Sequence, residues 1–154
     1  NLYGFEGEVP EASYAFPFGE ANVVREGKHA SIVTYGLMVH RSLDAAAALA
    51  KEGIEVEVVD LRTLSPLDID TVIESVEKTG RLVCVDEANP RCSIATDVSA
   101  QVAQRAFGAL KGPIEMVTPP HVPVPFSPPL EDLYIPSAAQ IAAAVKRTMA
   151  GGRH

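Results

Sequence analysis

Short runs rich in β-branched and apolar residues alternate along this chain with stretches whose apolar residues recur every three to four positions. That alternation leaves few architectures open. The runs are Ser31–Tyr35, Ile54–Val59, Arg81–Asp86 and Ile114–Thr118. Between and after them, helical spacing appears at Val39, Leu43, Ala46, Ala47 and Ala50, at Ile69, Val72, Ile73 and Val76, at Ile94, Val98 and Val102, and at Ile141, Val145 and Met149. Repeated strand–helix units bury both faces of their strands when the strands run parallel and helices cover each side. The pattern predicts an α/β fold, a three-layer α/β/α sandwich around a mostly parallel sheet.

Local signals fix the ends of these elements. Gly53 and Gly80 follow the first two helical stretches, where a left-handed residue closes a helix at little steric cost. Ser65-Pro66-Leu67-Asp68 predicts a helix start with Ser65 as N-cap and Pro66 at the first helical position. The alternation of Glu and Val in Ile54–Val59 predicts a strand with one wet face or a place near a sheet edge.

Residues 1–29 hold little that forms a core. Their Gly, Pro, acids and spaced aromatics predict an extended strap in front of a folded domain over residues 30–154. The chain opens on Asn1 and reads as a piece of a longer polypeptide. A second irregular segment, Pro119–Leu130, belongs to a region, residues 113–136, that holds eight of the twelve prolines. Proline fixes φ and reduces the entropy lost on ordering, so this stretch predicts a stiff arm bearing Phe126, suited either to contact with a neighbour or to covering the sheet edge.

Composition excludes several classes of function. A net charge of -7 repels a phosphate backbone, so nucleic acid is not expected as a partner. No apolar stretch approaches the roughly 20 residues of a membrane span. Cys84 and Cys92 have no spacing that suits zinc, and Cys84 within Leu82–Val85 predicts a buried, reduced thiol. A reducing, cytoplasmic setting fits, or the mitochondrial matrix in a eukaryote.

Ligands of parallel sheets favour the loops at the carboxyl ends of strands, here Tyr35-Gly36, Asp60–Arg62, Glu87–Cys92 and Thr118–His121. No GxGxxG, GxxxxGK[ST] or GxSxG motif stands in them. The histidines, His29, His40, His121 and His154, share no metal-ligand spacing. Asp86 and Glu87 form an acid pair at a strand end, which reads first as a loop brace. Asp60 with Arg62 reads first as a salt bridge or a strand-to-helix turn clamp. No catalytic, cofactor-binding or metal-binding residue is identified. The candidate interface residues are Tyr35, His40, Glu87, Arg91, His121 and Phe126.

Several segments resemble one family. Val59–Asp68, Thr34–His40, Thr79–Val83, Pro123–Pro128 and the strap from Leu2 to Gly27 are similar to the C-terminal domain of the beta subunit of thiamin-diphosphate-dependent 2-oxo acid dehydrogenases, within the transketolase C-terminal-domain group. Asp86–Cys92 and Phe126–Pro136 look closest to acetoin and pyruvate dehydrogenase beta chains. The resemblance implies an α2β2 enzyme whose thiamin diphosphate and Mg²⁺ lie between an alpha subunit and a preceding domain of beta, both outside this sequence. No catalytic residue of the family maps onto it. The implied role is assembly: contacts to alpha and to a second beta subunit, and docking of the dihydrolipoyl acyltransferase component.

The resemblance further implies that the fragment alone is inactive and pairs with itself through apolar surface left exposed. Many relatives carry a glycine-rich turn after the central strand where this chain has Arg91-Cys92-Ser93-Ile94-Ala95; without glycine a positive φ is not cheap there, so a turn of different shape is expected. The alternative reading is a free-standing doubly wound module that binds a small molecule through Tyr35, Glu87 and Arg91. Which of pyruvate, acetoin or a branched acid the parent enzyme uses is left open.

Overall fold

The computed structural model describes Leu2 and residues 6–151. Tyr3–Phe5 of the strap and His154 lie outside the described residues. Five strands form one sheet: β1 (Asn22–Arg25), β2 (Ala30–Thr34), β3 (Val56–Asp60), β4 (Leu82–Val85) and β5 (Glu115–Val117). Their order is β1-β3-β2-β4-β5. β3, β2, β4 and β5 run parallel, while β1 lies antiparallel on the outer edge of β3, Asn22 opposite Asp60.

Side-chain alternation along the strands divides the core into two layers. Ala30, Ile32, Val56, Val58, Val83, Val85 and Val117 face α1 (Leu37–Ala50) and α5 (Ala138–Ala150). Val33, Val59, Leu82 and Cys84 face α2 (Ile69–Thr79) and α3 (Ile94–Arg105). The three-layer α/β/α arrangement is therefore present. The strand and helix runs read from periodicity all appear, to within a residue or two at most ends.

Two elements go unmarked by that periodicity. β1 falls within the segment read as strap, and α4 (Pro128–Tyr134) within the proline-rich arm. A four-residue strand is too short to display a period. Proline at the first positions of α4 is compatible with a helix because the amide it lacks has no intrahelical acceptor there.

Three local expectations are corrected. First, α2 begins at Ile69 with Asp68 as N-cap, accepting the Thr71 N–H at 3.1 Å and its hydroxyl at 2.7 Å. Ser65 and Pro66, joined by a cis peptide, belong instead to a tight loop closed by a Leu64–Leu67 bridge and by the Thr63 hydroxyl, which donates to the Pro66 carbonyl at 3.0 Å. Second, α1 buries Met38, Ser42, Ala45, Ala46 and Leu49, whereas Ala47 is exposed. In an alanine-rich stretch the small side chains carry no signal to fix the helix rotation. The helix does close at Gly53 (φ 80), with Ile54 and Gly53 donating to the carbonyls of Leu49 and Ala50 at 3.0 Å each, the paired bonds of a Schellman turn.

Third, β3 lies next to the edge but its acidic face is dry. Glu57 is 2% exposed. Its carboxylate accepts the Ser75 hydroxyl at 2.6 Å and the Gly27 N–H at 3.3 Å, and pairs with Lys78, which also reaches Glu26. The Ser75 oxygen lies 2.7 Å from that of Ser31, which in turn lies 2.7 Å from Thr79 Oγ1. The column ties β3, β2 and α2 together with every member satisfied.

Asp68 also accepts the Ala21 N–H at 2.9 Å, so one carboxylate caps α2 and anchors the approach to β1. Partial burial raises its pKa, but the bonds from Ala21 and Thr71 outweigh that, and the net position is below the ordinary carboxylate value. A depressed folded-state pKa contributes stability above the unfolded value that is lost as pH falls through the folded one. Asp68→Ala is expected to lower stability at neutral pH by about 1 kcal/mol, the usual effect of losing an N-cap. The difference from the unsubstituted chain should shrink in urea titrations carried below pH 4, and a difference that grows there would overturn the assignment.

Candidate functional site

In a parallel sheet the chain reverses its direction of winding where neighbouring strands send their helices to opposite faces. Here that place lies between β2 and β4, whose following helices α1 and α3 cover different sides. Ligands of doubly wound folds occupy this crevice. In this chain its own side chains fill it. The Tyr35 hydroxyl donates to Asp86 Oδ1 at 2.8 Å, the Ala88 N–H donates to the same oxygen at 2.8 Å, and the Thr34 hydroxyl donates to the Val85 carbonyl at 2.9 Å. Asp86 is wholly buried. Burial, then the Asp86 hydrogen bond and charge, then Glu87, push the Tyr35 phenol well above its ordinary value. It therefore stays a donor at any physiological pH.

This arrangement does not fit a diphosphate and metal ion. A single glycine, Gly36 (φ 59), precedes α1, too little for a backbone cradle. One Asp86 oxygen is already committed to Tyr35 and Ala88, and the other is buried without a partner among the described residues. No group of three His, Cys, Asp or Glu side chains suited to a metal occurs among those residues.

The acid pair thus divides its roles. Asp86 braces the loop, while Glu87 is exposed. Arg62 likewise acts through its backbone, its N–H donating to Asp60 Oδ1 at 3.0 Å, and its guanidinium lies 4.5 Å from the centre of the Phe16 ring. Arg62 and Cys92 both hold positive φ, 54° and 55°. In the turn after β4, with no glycine available, Cys92 takes the left-handed conformation itself, at the steric cost such a residue carries.

The strap enters at the same edge. The Gly19 N–H donates to Thr63 Oγ1 at 2.9 Å, while Tyr14, Phe16 and Phe18 remain exposed. On the other side of the crevice, the arm after β5 presents Val122, Val124, Phe126, Leu130 and Leu133 to solvent, Phe126 completely so. Glu87, Val124, Glu131, Tyr134 and Ile135 line a notch of about 280 Å³ between the arm and the β4–α3 loop.

Of the sequence candidates, Tyr35 and Glu87 flank Asp86, and Phe126 stands on the arm close by in sequence to Val124. Arg91 and His121 are exposed on the neighbouring loops, and His40 is exposed on α1. None of these three lines the notch. The sequence reading missed Glu131 and Leu133. The Ser127-Pro128-Pro129 start signal followed by Glu131 could have identified their helix. A larger groove, about 700 Å³, opens beside Phe107, Leu110, Lys111 and Ile114, before β5 and so toward the opposite end of the strands.

The two thiols differ sharply. Burial pushes Cys84 up to about 12, outweighing its hydrogen bond with Ser99, while Cys92 is exposed. A thiol-specific reagent at pH 8 is expected to titrate one cysteine in the folded chain and two in denaturant, since the thiolate is the reacting form. Rapid modification of Cys84 without unfolding would contradict this packing.

Residues 19–141 match the family described as transketolase, C-terminal domain. The beta subunit of acetoin:2,6-dichlorophenolindophenol oxidoreductase from Cupriavidus necator is 80% identical over 154 residues, covering 100% of this chain and 46% of that protein. The same-named subunit from Bacillus subtilis is 52% identical over 141 residues, covering 92% of this chain and 41% of that protein. Pyruvate dehydrogenase E1 component subunit beta from the same organism is 47% identical over 145 residues, covering 94% and 44%. Among solved structures, a split gene transketolase described as an inactive beta4 tetramer superposes with a TM-score of 0.77 at 30% identity, covering 96% of this chain and 47% of that one. The chain spans less than half the length of each of these relatives.

Proposed function

The chain belongs to the transketolase C-terminal domain family, and from that premise we propose that it is the assembly domain of the beta subunit of an acetoin-oxidising 2-oxo acid dehydrogenase-type enzyme. The observation that carries the reading is the agreement along the whole chain with an acetoin oxidoreductase beta subunit. Acetoin is preferred to pyruvate because the two acetoin relatives are the more similar ones.

The geometry supports a role in association rather than chemistry. A crevice filled by Tyr35 and Asp86 leaves no room for a reacting molecule, whereas the aromatics of the strap and the apolar side chains of the arm stand uncovered. Exposed apolar side chains gathered in this way on a segment support a contact role. The proposed partners are an alpha subunit and a second beta subunit, with a dihydrolipoyl acyltransferase as the docked component. Thiamin diphosphate and Mg²⁺ are assigned to the remainder of the enzyme. Residues 1–29 are proposed as the connecting strap and residues 30–154 as the domain. No helix among the described residues is long and apolar enough to cross a membrane, and the proposed location is the cytoplasm.

The test uses the full-length chain co-expressed with its alpha partner, thiamin diphosphate and Mg²⁺ being supplied. Reduction of dichlorophenolindophenol is expected with acetoin and to be at least tenfold slower with pyruvate, while the 154-residue domain alone is expected to give none. Preference for pyruvate would overturn the substrate assignment, and turnover by the isolated domain would overturn the assembly role.

A further inference from the structure

We propose that the notch between the proline-rich arm and the β4–α3 loop receives an arginine or lysine side chain, carried beside an apolar residue on the partner subunit. The inference rests on the assembly reading above and names the chemistry of the contact.

Glu87, from the loop after β4, and Glu131, from α4, bring two carboxylates to the same depression, whose other walls are Val124, Tyr134 and Ile135. Six acids elsewhere, Glu26, Glu52, Glu55, Glu57, Asp70 and Glu115, are each matched by a cation of this chain, whereas Glu87 and Glu131 share with surface acids such as Asp44, Glu74 and Glu77 the lack of one among the described residues. Among the described residues, no ion pair or side-chain hydrogen bond takes up the carboxylate of Glu87 or Glu131. Arg41 reaches the adjoining turn, but its guanidinium donates to the carbonyls of Ile135 and Pro136, at 3.3 and 2.8 Å, not to either acid.

An apolar floor with a carboxylate on two sides suits a long cationic side chain, whose methylenes lie on the floor while its head is hydrogen-bonded. Val124 lines the notch and is exposed, and Phe126, Leu130 and Leu133, neighbours in sequence of the lining residues Val124 and Glu131, are exposed as well; together they suit apolar neighbours of that cation. Charge chooses the occupant. Against two unpaired acids on a chain of net charge -7, a second copy of this chain or an anionic surface is repelled, whereas a basic segment of a different subunit is attracted.

The experiment uses the full-length chain and its alpha partner, comparing the unsubstituted chain with E87Q/E131Q and E87K/E131K. The expected result is a dissociation constant raised about tenfold by the glutamines and about a hundredfold by the lysines, with the glutamine variant flattening the salt dependence of association. The thermal midpoint of the free chain should stay the same for the glutamine variant, because neither carboxylate has an intrachain cation. An unchanged dissociation constant and salt dependence would overturn the proposal. So would a lowered midpoint in the glutamine variant, which makes the acids structural, or a changed self-association without the partner, which places a second copy in the notch. Failure of the unsubstituted chain to bind its partner would instead sink the assembly reading, and the notch with it.

Discussion

Lys78→Met is expected to destabilise the chain by about 2–3 kcal/mol, somewhat below the 3–5 kcal/mol of a fully enclosed ion pair because Lys78 is itself half-exposed. The reason lies on the other side of the pair. Lys78 is 45% exposed and Glu57 2%, so removing the lysine leaves a buried carboxylate with the Ser75 hydroxyl and the Gly27 N–H as its remaining donors. Removing the acid instead leaves an ammonium that can turn to water and to Glu26. Glu57→Gln should therefore cost only about 1 kcal/mol, the scale of an ordinary hydrogen-bond change. The double variant E57L/K78M should recover much of the loss, since an apolar pair has no charge to strand.

The pH dependence has a fixed sign. Hydrogen bonds from Lys78 to Glu26 and Glu57 raise its pKa above the ordinary value of 10.5. A raised folded-state pKa contributes stability that is fully present below the unfolded value and disappears as pH climbs through the folded one. The cost of Lys78→Met should therefore hold through neutral pH and shrink in the alkaline range above that value. Chemical denaturation of the four chains across that range measures it. Equal losses from Lys78→Met and Glu57→Gln would contradict the asymmetry.

Ile32→Ala is expected to cost about 3–4 kcal/mol, within the span measured for large-to-small changes at buried aliphatic sites. Ile32 is wholly buried at the middle of β2, the central strand, opposite Val58 on one neighbour and Val83 on the other. It packs in the layer shared with α1 and α5. Hydrogen-bonded strands on both sides cannot close in over lost atoms, so a cavity should persist. In a chain of this size that corresponds to roughly 6–16 °C in thermal midpoint, at about 2–4 °C per kcal/mol. Urea midpoints should fall with unchanged slope. Val24→Ala, in a strand with one neighbour and at a half-buried position, should cost less than half as much. A loss under 1 kcal/mol for Ile32→Ala would mean that the core relaxes around it.

The layered fold was legible because its strands and helices are amphipathic with different periods. Ser31–Tyr35 reads as strand and the Ile94, Val98, Val102 series as helix without any knowledge of contacts. What could not be read are features set by pairing across the chain. Glu57 looks solvent-facing in an alternating run, yet α2 covers it with Ser75 and Lys78. Asp68 looks like a first-turn acid behind a Ser-Pro start, but the chain before it closes into its own loop and leaves Asp68 as the cap. At the candidate site, Tyr35, Glu87 and Phe126 could be named from their places after strands or in the arm. Glu131 could not, because its meaning comes from lying against a loop 44 positions earlier, and no periodicity encodes that distance.

The antiparallel strand at the sheet margin has a practical corollary. β3 meets β1 through main-chain bonds along Val58–Asp60, so the segment that enters the domain also seals its open border. A version trimmed to begin at Ala30 would retain the helices and both apolar layers but bare a row of unpaired amides and carbonyls, the surface on which sheets of neighbouring molecules add to one another. Such a trimmed protein should sediment as polymer while the untrimmed one stays dispersed, and a short peptide spanning residues 19–27 should restore solubility by taking the vacant place in trans.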